Sequence, residues 1–172
     1  MTTWQIRPAR DDELDAVSRL LDDAWREYDA QVTGSEERLA IYRAYRARVI
    51  DVRSRLHESL LLVAANGDHI FGTVTYYPPV AEAFEDDWPP GWAGIRLLGV
   101  HPDARGAGIG RALTEECIRR ARADGATHVG LHSTVLMWIA RAMYERMDFK
   151  RYPSHDFNGG DDFIVEAYML PL

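Results

Sequence analysis

The stretch Ala104–Leu113, "ARGAGIGRAL", restricts the possible folds of this chain most, because three of its ten residues are glycine. It lies between the apolar run "GIRLLGV" and a segment with helical periodicity. Glycine costs roughly 0.5–1 kcal/mol relative to alanine inside a strand or helix, so its repetition here indicates that an uncovered backbone is needed. The first N–H groups of a helix lack intrahelical partners and carry partial positive charge. The stretch therefore predicts an anion site at a helix N-terminus.

The spacing of the glycines separates the ligand classes that use such a loop. Gly106, Gly108 and Gly110 would let a phosphate approach the N–H groups, and Arg105 and Arg111 would add charge-assisted contacts. A P-loop is excluded because arginine and alanine, rather than lysine and serine or threonine, follow the last glycine. A dinucleotide fingerprint fits poorly, because the third glycine comes one residue early and the next strand offers no carboxylate for a ribose.

Hydrophobic periodicity along the rest of the chain predicts strands that alternate with helices. Apolar stripes predict a helix over Leu14–Tyr28 and a second helix that follows Gly34 and Ser35 as turn and cap and carries its stripe from Ile41 to Leu56. Two further helices are predicted over 109–123 and 138–147, and strands over 3–9, 60–65, 69–77, 93–100, 127–133 and 162–170. The turn "NGD" at Asn66–Asp68 joins the second and third strands as a hairpin. These elements predict one domain, over residues 1–172, with a mixed α/β sheet.

Composition narrows the function classes. The 172 residues carry a net charge of −7, which disfavours a nucleic-acid-binding surface. No apolar run reaches the ~20 residues of a membrane span, and no secretory signal is present, so a cytoplasmic location is expected. Charge is uneven: Pro8–Arg38 has ten acidic and four basic residues, whereas Ile95–Arg122 has six basic and three acidic ones. The glycine stretch thus lies in a locally positive part of an acidic chain.

Two motifs carry a family resemblance. Val100–Leu113, with Arg105, Gly108 and Gly110 in the pattern Arg/Gln-x-x-Gly-x-Gly/Ala, resembles the acyl-CoA-binding signature of the GNAT superfamily of N-acyltransferases. About thirty residues further on, "ARAMYERMDF" (140–149) resembles the second landmark of that family, Ala-x-x-x-Tyr-Glu-x-x-Gly-Phe. The resemblance implies a mixed, mostly antiparallel central sheet of six to seven strands flanked by about four helices. It also implies acetyl-CoA as the acyl donor.

The resemblance further implies a mechanism in which an amine attacks the thioester directly, without a covalent enzyme intermediate. A main-chain N–H at a bulge within Leu98–Val100 would polarise the thioester carbonyl, and Gly99, alone in an apolar strand, independently indicates a bulge or a close backbone approach. Tyr144 matches the family's general acid and would protonate or hydrogen-bond the departing thiolate. The implied cofactor-binding residues are Leu98, Gly99, Val100, Arg105, Gly106, Ala107, Gly108, Ile109, Gly110 and Arg111.

The sequence departs from the family pattern at two positions. Met137 stands where the family often has asparagine at the start of the fourth helix, so no cofactor contact from an amide is expected there. Asp148 replaces the glycine of "Gly-Phe", which concerns the turn after that helix. The single cysteine, Cys117, lies on an apolar helix stripe and is expected to pack in the core rather than to act as a nucleophile. The six histidines show no metal-ligand spacing, so no metal is expected.

The acceptor is predicted to be a small-molecule primary amine, because acidic and aromatic residues favour a cation. The predicted acceptor residues are Tyr28, Glu85, Asp86, Asp87 and Trp88, together with Trp92 and the acids of the first helix. The general base stays open between the same three acids, His101, His132 and a water chain. A protein lysine or N-terminal amine as acceptor, a non-catalytic acyl-CoA sensor, and a homodimer are open alternatives.

Overall fold

A computed structural model of the protein describes residues 3–79, 81 and 88–172. Four helices and eight strands make up its regular structure in this part of the chain. The helices are α1 (Leu14–Asp29), α2 (Glu36–Ile50), α3 (Ile109–Ala123) and α4 (Trp138–Arg146). The strands are β1 (Gln5–Pro8), β2 (Leu60–Asn66), β3 (His69–Tyr77), β4 (Trp92–Val100), β5 (His128–Ser133), β6 (Lys150–Arg151), β7 (Phe157–Asn158) and β8 (Ile164–Pro171).

The strands form one sheet in the order β1-β2-β3-β4-β5-β8-β6, with β7 paired to the start of β8. The pair β4–β5 is parallel, and the other strand pairs of the described chain are antiparallel. The predicted mixed, mostly antiparallel sheet with four helices is confirmed. The hairpin turn is also confirmed: Asn66 pairs with His69, and Gly67 has a φ of 58°.

The two faces of the sheet bury separate hydrophobic clusters. One cluster joins α3 and α4 to the sheet and includes Leu113, Leu131 and Cys117. The other joins α1 and α2 to the opposite face and includes Leu21 and Val49. Cys117 is fully buried, and burial raises the pKa of its thiol, so the expected core role is confirmed. The C-terminal end of β4 lies between these two layers and lines the cleft described below.

The second helix begins after the predicted cap, Ser35, but ends before its apolar stripe does. α2 ends at Ile50, six residues before Leu56, and Ile41 at its outer side is 44% exposed. The guanidinium of Arg55 donates to the main-chain oxygens of Arg48 (2.9 Å) and Asp51 (2.8 Å) at this end. These bonds satisfy carbonyls that have no intrahelical partner, and so they stabilise the early end of the helix. The C-terminal hairpin expected around the turn "NGGDD" is present as the pair β7–β8, whereas the two-residue strand β6 was not predicted, since two residues show no periodicity.

Asp148 adopts the conformation that the family's glycine would take. Its φ is 67°, in the left-handed region, two residues after the end of α4. Aspartate tolerates this region better than most residues that carry a Cβ. The turn into Phe149, which is 2% exposed, is therefore kept. In the described residues, no helix combines the length and the apolar character needed to cross a membrane.

Candidate active site

A cleft of about 570 Å³ opens where β4 and β5 separate. The two strands pair from Trp92–Ile95 on β4 to His128–Leu131 on β5, and the described chain pairs them no further. One wall consists of residues from α1, the other of residues from α4, and the floor comes from β4 and the glycine loop. The lining residues are Ala24, Trp25, Glu27, Tyr28, Leu98, Gly99, Val100, Ala104, Arg105, Gly106, Gly108, Ile109, Gly110, Arg111, Met137, Ile139, Ala140, Met143, Arg146 and Met147.

A bulge in β4 lies at the mouth of this fork, one residue earlier than predicted. Thr73 of β3 pairs with Gly99 and Thr75 pairs with Arg96, so Leu97 and Leu98 both lie opposite Val74. Leu97 has a φ of 53°, a left-handed conformation that is unusual for leucine. The bulge prediction over Leu98–Val100 is thus corrected to Leu97–Leu98. The extra residue bends β4 away from a regular ladder.

Gly99 is regularly paired and serves the other of its two predicted roles, close approach. A Cβ on Gly99 would lie 3.0 Å from Leu21 Cδ2 and 3.2 Å from the ring of Trp25. Glycine at this position therefore lets α1 pack directly on β4. The next peptide is oriented by His101, whose N–H donates to the main-chain oxygen of Phe71 on β3 at 2.8 Å. Because neighbouring peptides of a strand point to opposite edges, the N–H of Val100 points to the cleft.

The glycine loop exposes backbone donors to the same cleft. Gly106 and Gly108 have φ values of 79° and 78°, and a Cβ on either would meet no heavy atom within 4 Å. Gly108 precedes α3 directly, and the first helical bond runs from Ala112 N–H to Gly108 O at 3.0 Å. In the described chain the N–H groups of Gly106 and of residues 108–111 form no hydrogen bond to the main chain, and residues 105 and 106 form a turn. Gly110 differs, since its Cβ would make ordinary 3.7 Å contacts with Met143 and Val100.

Both arginines of the loop have carboxylate partners. Arg105 Nη1 lies 2.8 Å from Glu27 Oε2 on α1, and its Nη2 lies 3.4 Å from the oxygen of Ala24. Arg111 Nε lies 2.8 Å from Glu115 Oε1, one turn further along α3. The hydrogen bond from Arg105 lowers the pKa of Glu27. The charge-assisted contacts expected of these arginines are thus already made to the protein's own acids.

Tyr144 lies behind the α4 wall of the cleft rather than on its surface. Met143 and Met147 line the cleft, whereas Tyr144 is 5% exposed and its ring centroid lies 5.6 Å from that of Phe149. Burial raises the pKa of its hydroxyl, and the nearby Cys117 and Tyr28 raise it further. Tyr144 therefore stays protonated at neutral pH and can donate a hydrogen bond.

The described acceptor residues are not brought together. Tyr28 lines the cleft and belongs to the cluster that includes Leu97 and Met137, and burial together with Glu27 raises its pKa to about 12. Trp88 does not line this cleft. It is 8% exposed and covers Gly130, where a Cβ would lie 2.8 Å from the indole ring. Glu85, Asp86 and Asp87 lie outside the described residues.

Two of the candidate bases have defined places. His101 accepts a hydrogen bond at Nδ1 from the N–H of Asp103 at 3.3 Å, which caps the short turn before the glycine loop. His132 follows directly after the last β4–β5 pair, so it lies at the fork of the strands. Its Nε2 is 2.8 Å from the main-chain oxygen of His155. A carbonyl only accepts, so this contact assigns a proton to Nε2.

The sequence pointed to Glu27 only as one of the acids of the first helix, and it is the carboxylate among the described residues that line the cleft. Its position three residues after Ala24, on the edge of the apolar stripe of α1, was a usable signal. Its pairing with Arg105 was not predictable from spacing, because 78 residues separate the two.

Comparisons with known proteins identify the family and the fold. The family model described as the acetyltransferase (GNAT) family matches residues 15–149. The chain belongs to the GNAT family. The predicted family and fold are therefore confirmed. The glycine loop and the fork between β4 and β5 both lie inside the range that the GNAT family model matches.

This chain matches only part of the length of its curated relatives. The mycothiol acetyltransferase of Geodermatophilus obscurus is 28% identical over 131 residues, 75% of this chain and 41% of that protein. The mycothiol acetyltransferase of Saccharopolyspora erythraea is 36% identical over 64 residues, 37% of this chain and 21% of that protein. The chain thus spans about two fifths of the first of these relatives and a fifth of the second.

Solved structures share the fold at low identity. PaiA N-acetyltransferase from Thermoplasma acidophilum, in complex with coenzyme A, has a TM-score of 0.71 at 16% identity over 99% of this chain and 100% of that one. A GNAT acetyltransferase from Brucella melitensis, in complex with acetyl-CoA, has a TM-score of 0.59 at 23% identity over 99% of this chain and 88% of that one.

Proposed function

We propose that this GNAT chain transfers an acetyl group from acetyl-CoA to a small-molecule primary amine, by direct attack in a ternary complex. One observation carries the proposal: the β4–β5 fork, the β4 bulge and the uncovered N–H groups of Gly106 and residues 108–111 open on a single cleft. Each of these three features answers one requirement of a thioester bound through a pyrophosphate. The coenzyme A complexes of structurally similar proteins support this choice of donor.

The cofactor's parts match parts of the cleft. Its pyrophosphate would accept from the N–H groups of Gly106 and residues 108–111, at the positive end of α3. Its thiol arm would follow the uncovered edge of β4, where the N–H of Val100 points to the cleft. Met143 and Met147 would cover the arm from α4. The thioester would then lie at the bulge Leu97–Leu98, where a main-chain N–H would stabilise the oxygen as it gains charge.

Tyr144 would act on the departing thiolate as a hydrogen-bond donor. An ordinary tyrosine has a pKa of about 10 and a thiol about 8.5, so full proton transfer is already uphill. Burial raises the pKa of Tyr144 and makes the transfer more costly. A hydrogen bond to the sulfur requires no transfer. The proton that the attacking amine loses would pass to a base and then from the base to the thiolate, so that coenzyme A leaves as the thiol. The identity of this base stays open, with His132 nearest to the fork by its place on β5.

The acceptor side of the proposal draws on charge and on the relatives. The wall of the cleft formed by α1 contains the ring of Tyr28, which favours a cationic amine, and the chain as a whole is acidic, with a net charge of −7. Two relatives carry the name mycothiol acetyltransferase, and a small-molecule acceptor for this chain accords with that name. Because the chain spans a minor part of those proteins, the identity of the amine is not carried over.

An acetyl-transfer assay tests the proposal. Release of the thiol from acetyl-CoA is followed with a panel of small amines, alongside a peptide with a free N-terminus and a lysine peptide. We expect turnover with at least one small amine. Turnover with the peptides and with none of the small amines would reassign the acceptor. Tight binding of acetyl-CoA by calorimetry with no turnover on any amine would instead favour the non-catalytic sensor.

A further inference from the structure

The ion pair between Glu27 and Arg105 lies where the proposed pyrophosphate site meets α1. Glu27 is a cleft-lining carboxylate whose Oε2 is 2.8 Å from Arg105 Nη1, and its side chain is 41% exposed. Arg105 Nη2 faces the main-chain oxygen of Ala24 at 3.4 Å. Both ends of the guanidinium are therefore directed to α1, away from the N–H groups of the glycine loop.

An anion on the glycine loop would experience this carboxylate directly. The loop residues Gly106 and Gly108 line the same cleft as Glu27, and they immediately follow Arg105. A bound pyrophosphate would compete with Glu27 for the Arg105 guanidinium, and it would also be repelled by the carboxylate charge. Arg111 offsets this little, because Glu115 holds it at 2.8 Å. Arg146 is a third cation of the lining, on the opposite wall formed by α4.

We propose that Glu27 is a positioning residue that holds Arg105 against α1 and thereby lowers the affinity of the cleft for the cofactor's pyrophosphate. This inference rests on the proposed function, since it takes coenzyme A as the ligand. The loop does not need Glu27 to keep its shape, because the left-handed φ of its glycines sets the direction of the N–H groups. Removing the carboxylate charge is therefore expected to free Arg105 for the anion while the backbone donors stay in place.

Calorimetry with two ligands separates an effect on the pyrophosphate from an effect on the cleft as a whole. Coenzyme A and pantetheine, which is its thiol arm without the pyrophosphate, are titrated into the wild type and into Glu27→Gln. The substitution keeps the size of the side chain and removes its charge. We expect coenzyme A to bind about 3- to 10-fold more tightly, which is the size of a partly screened charge effect. The affinity for pantetheine is expected to stay unchanged.

Two further variants control for charge and for packing. Asp23→Asn makes the same change of net charge on the same helix, at a half-exposed residue that pairs with Arg26 at 3.0 Å and does not line the cleft. It is expected to leave the affinity for coenzyme A unchanged. Glu27→Asp keeps the charge and is expected to bind coenzyme A with nearly wild-type affinity. Thermal unfolding of each variant confirms that the fold is kept.

The outcomes are distinct. Tighter binding of coenzyme A by Glu27→Gln, with pantetheine unaffected, supports the competition. Unchanged or weaker binding of coenzyme A would overturn it and would make Glu27 a mere anchor of the loop. Equal tightening for pantetheine would also overturn it, because the effect would then not act at the pyrophosphate. If the wild type itself binds no coenzyme A, the proposed function fails first.

Discussion

The glycine loop at residues 105–110 and the turn at residues 158–162 both use glycine at positive φ, but their surroundings differ. A Cβ on Gly106 or Gly108 would meet no atom within 4 Å, and the N–H groups of these two glycines form no hydrogen bond to the main chain of the described residues. In the second turn, Gly160 has a φ of 99°, and a Cβ would lie 3.1 Å from the backbone of Arg38 on α2. The neighbouring Asp161 accepts from both Ser35 N–H and Ser35 Oγ at 2.6 Å.

The difference shows what glycine density alone does not reveal. In the second turn the glycines serve contacts within the chain, since they let the turn dock on the N-terminus of α2, where Arg38 also lies 4.4 Å over the ring of Phe163. In the first loop the same backbone conformation leaves donors uncovered beside a cleft. Glycine at positive φ thus predicts a ligand site only when the surrounding chain does not cover it.

The largest expected effect is a loss of acetyl-CoA binding, caused by a substitution in the glycine loop. Gly108→Val places a β-branched side chain at a φ of 78° and in the space proposed for the pyrophosphate. We expect calorimetry to show no binding of acetyl-CoA, in a variant that remains folded. Gly125→Val is the matched control: Gly125 has a φ of 74°, is likewise open to space, and lies after the other end of α3. The control should bear a similar backbone strain and bind acetyl-CoA normally. Normal binding by Gly108→Val would refute the assignment of the loop.

The next largest expected effect is a fall in kcat when the hydroxyl of Tyr144 is removed. Tyr144→Phe removes one hydroxyl and keeps the packing against Phe149. We expect kcat on acetyl-CoA to fall about 100-fold, the lower end of the range for such groups, because a hydrogen bond rather than a proton transfer is lost. The affinity for acetyl-CoA should stay close to that of the wild type. A thioester with a more acidic thiol should reduce the loss.

Tyr76→Phe is the control for this variant. Like Tyr144, Tyr76 is buried in the cluster under α3 and does not line the cleft, but its hydroxyl is already engaged, because it donates to Asp124 at 2.7 Å. It should lose stability and keep kcat. Equal kcat for Tyr144→Phe and wild type, with chemistry shown to be rate-limiting, would return Tyr144 to a packing role.

A smaller effect is expected in the second turn. Gly160→Val strains a φ of 99° and forces a side chain against Arg38. Chemical denaturation should show a loss of about 1–3 kcal/mol in the free energy of unfolding, which is typical of overpacking. Binding of acetyl-CoA by the folded protein should be unchanged. A variant that loses acetyl-CoA affinity but no stability would contradict the separation of the two turns.

How far sequence predicts this molecule depends on whether a feature is local. The strand–loop–helix unit around Gly108 follows from spacing within a dozen residues, and the alternation of apolar residues predicts the long strands and helices. The bulge was placed one residue late because a leucine at positive φ leaves no sign in the sequence, and the more conspicuous Gly99 serves the packing of α1 instead. Glu27 and Trp88 were misjudged for a related reason. Their surroundings come from residues far along the chain, Arg105 for the first and Gly130 for the second.

The smallest expected effect is a pH dependence that belongs to the second turn alone. The hydrogen bonds from Ser35 lower the pKa of Asp161 below its usual value. A carboxyl group whose pKa is depressed by folding contributes stability above its unfolded pKa, near 3.9, and loses it as the pH falls through the lower folded value. The midpoint of thermal unfolding of Asp161→Asn should therefore lie below that of the wild type at pH 7, and the two should converge as the pH is lowered towards 3. Acetyl-CoA affinity at pH 7 should be the same for both, because the cleft does not include this turn. A difference in melting temperature that persists undiminished at pH 3 would show that the charge of Asp161 does not stabilise the contact between the turn and α2.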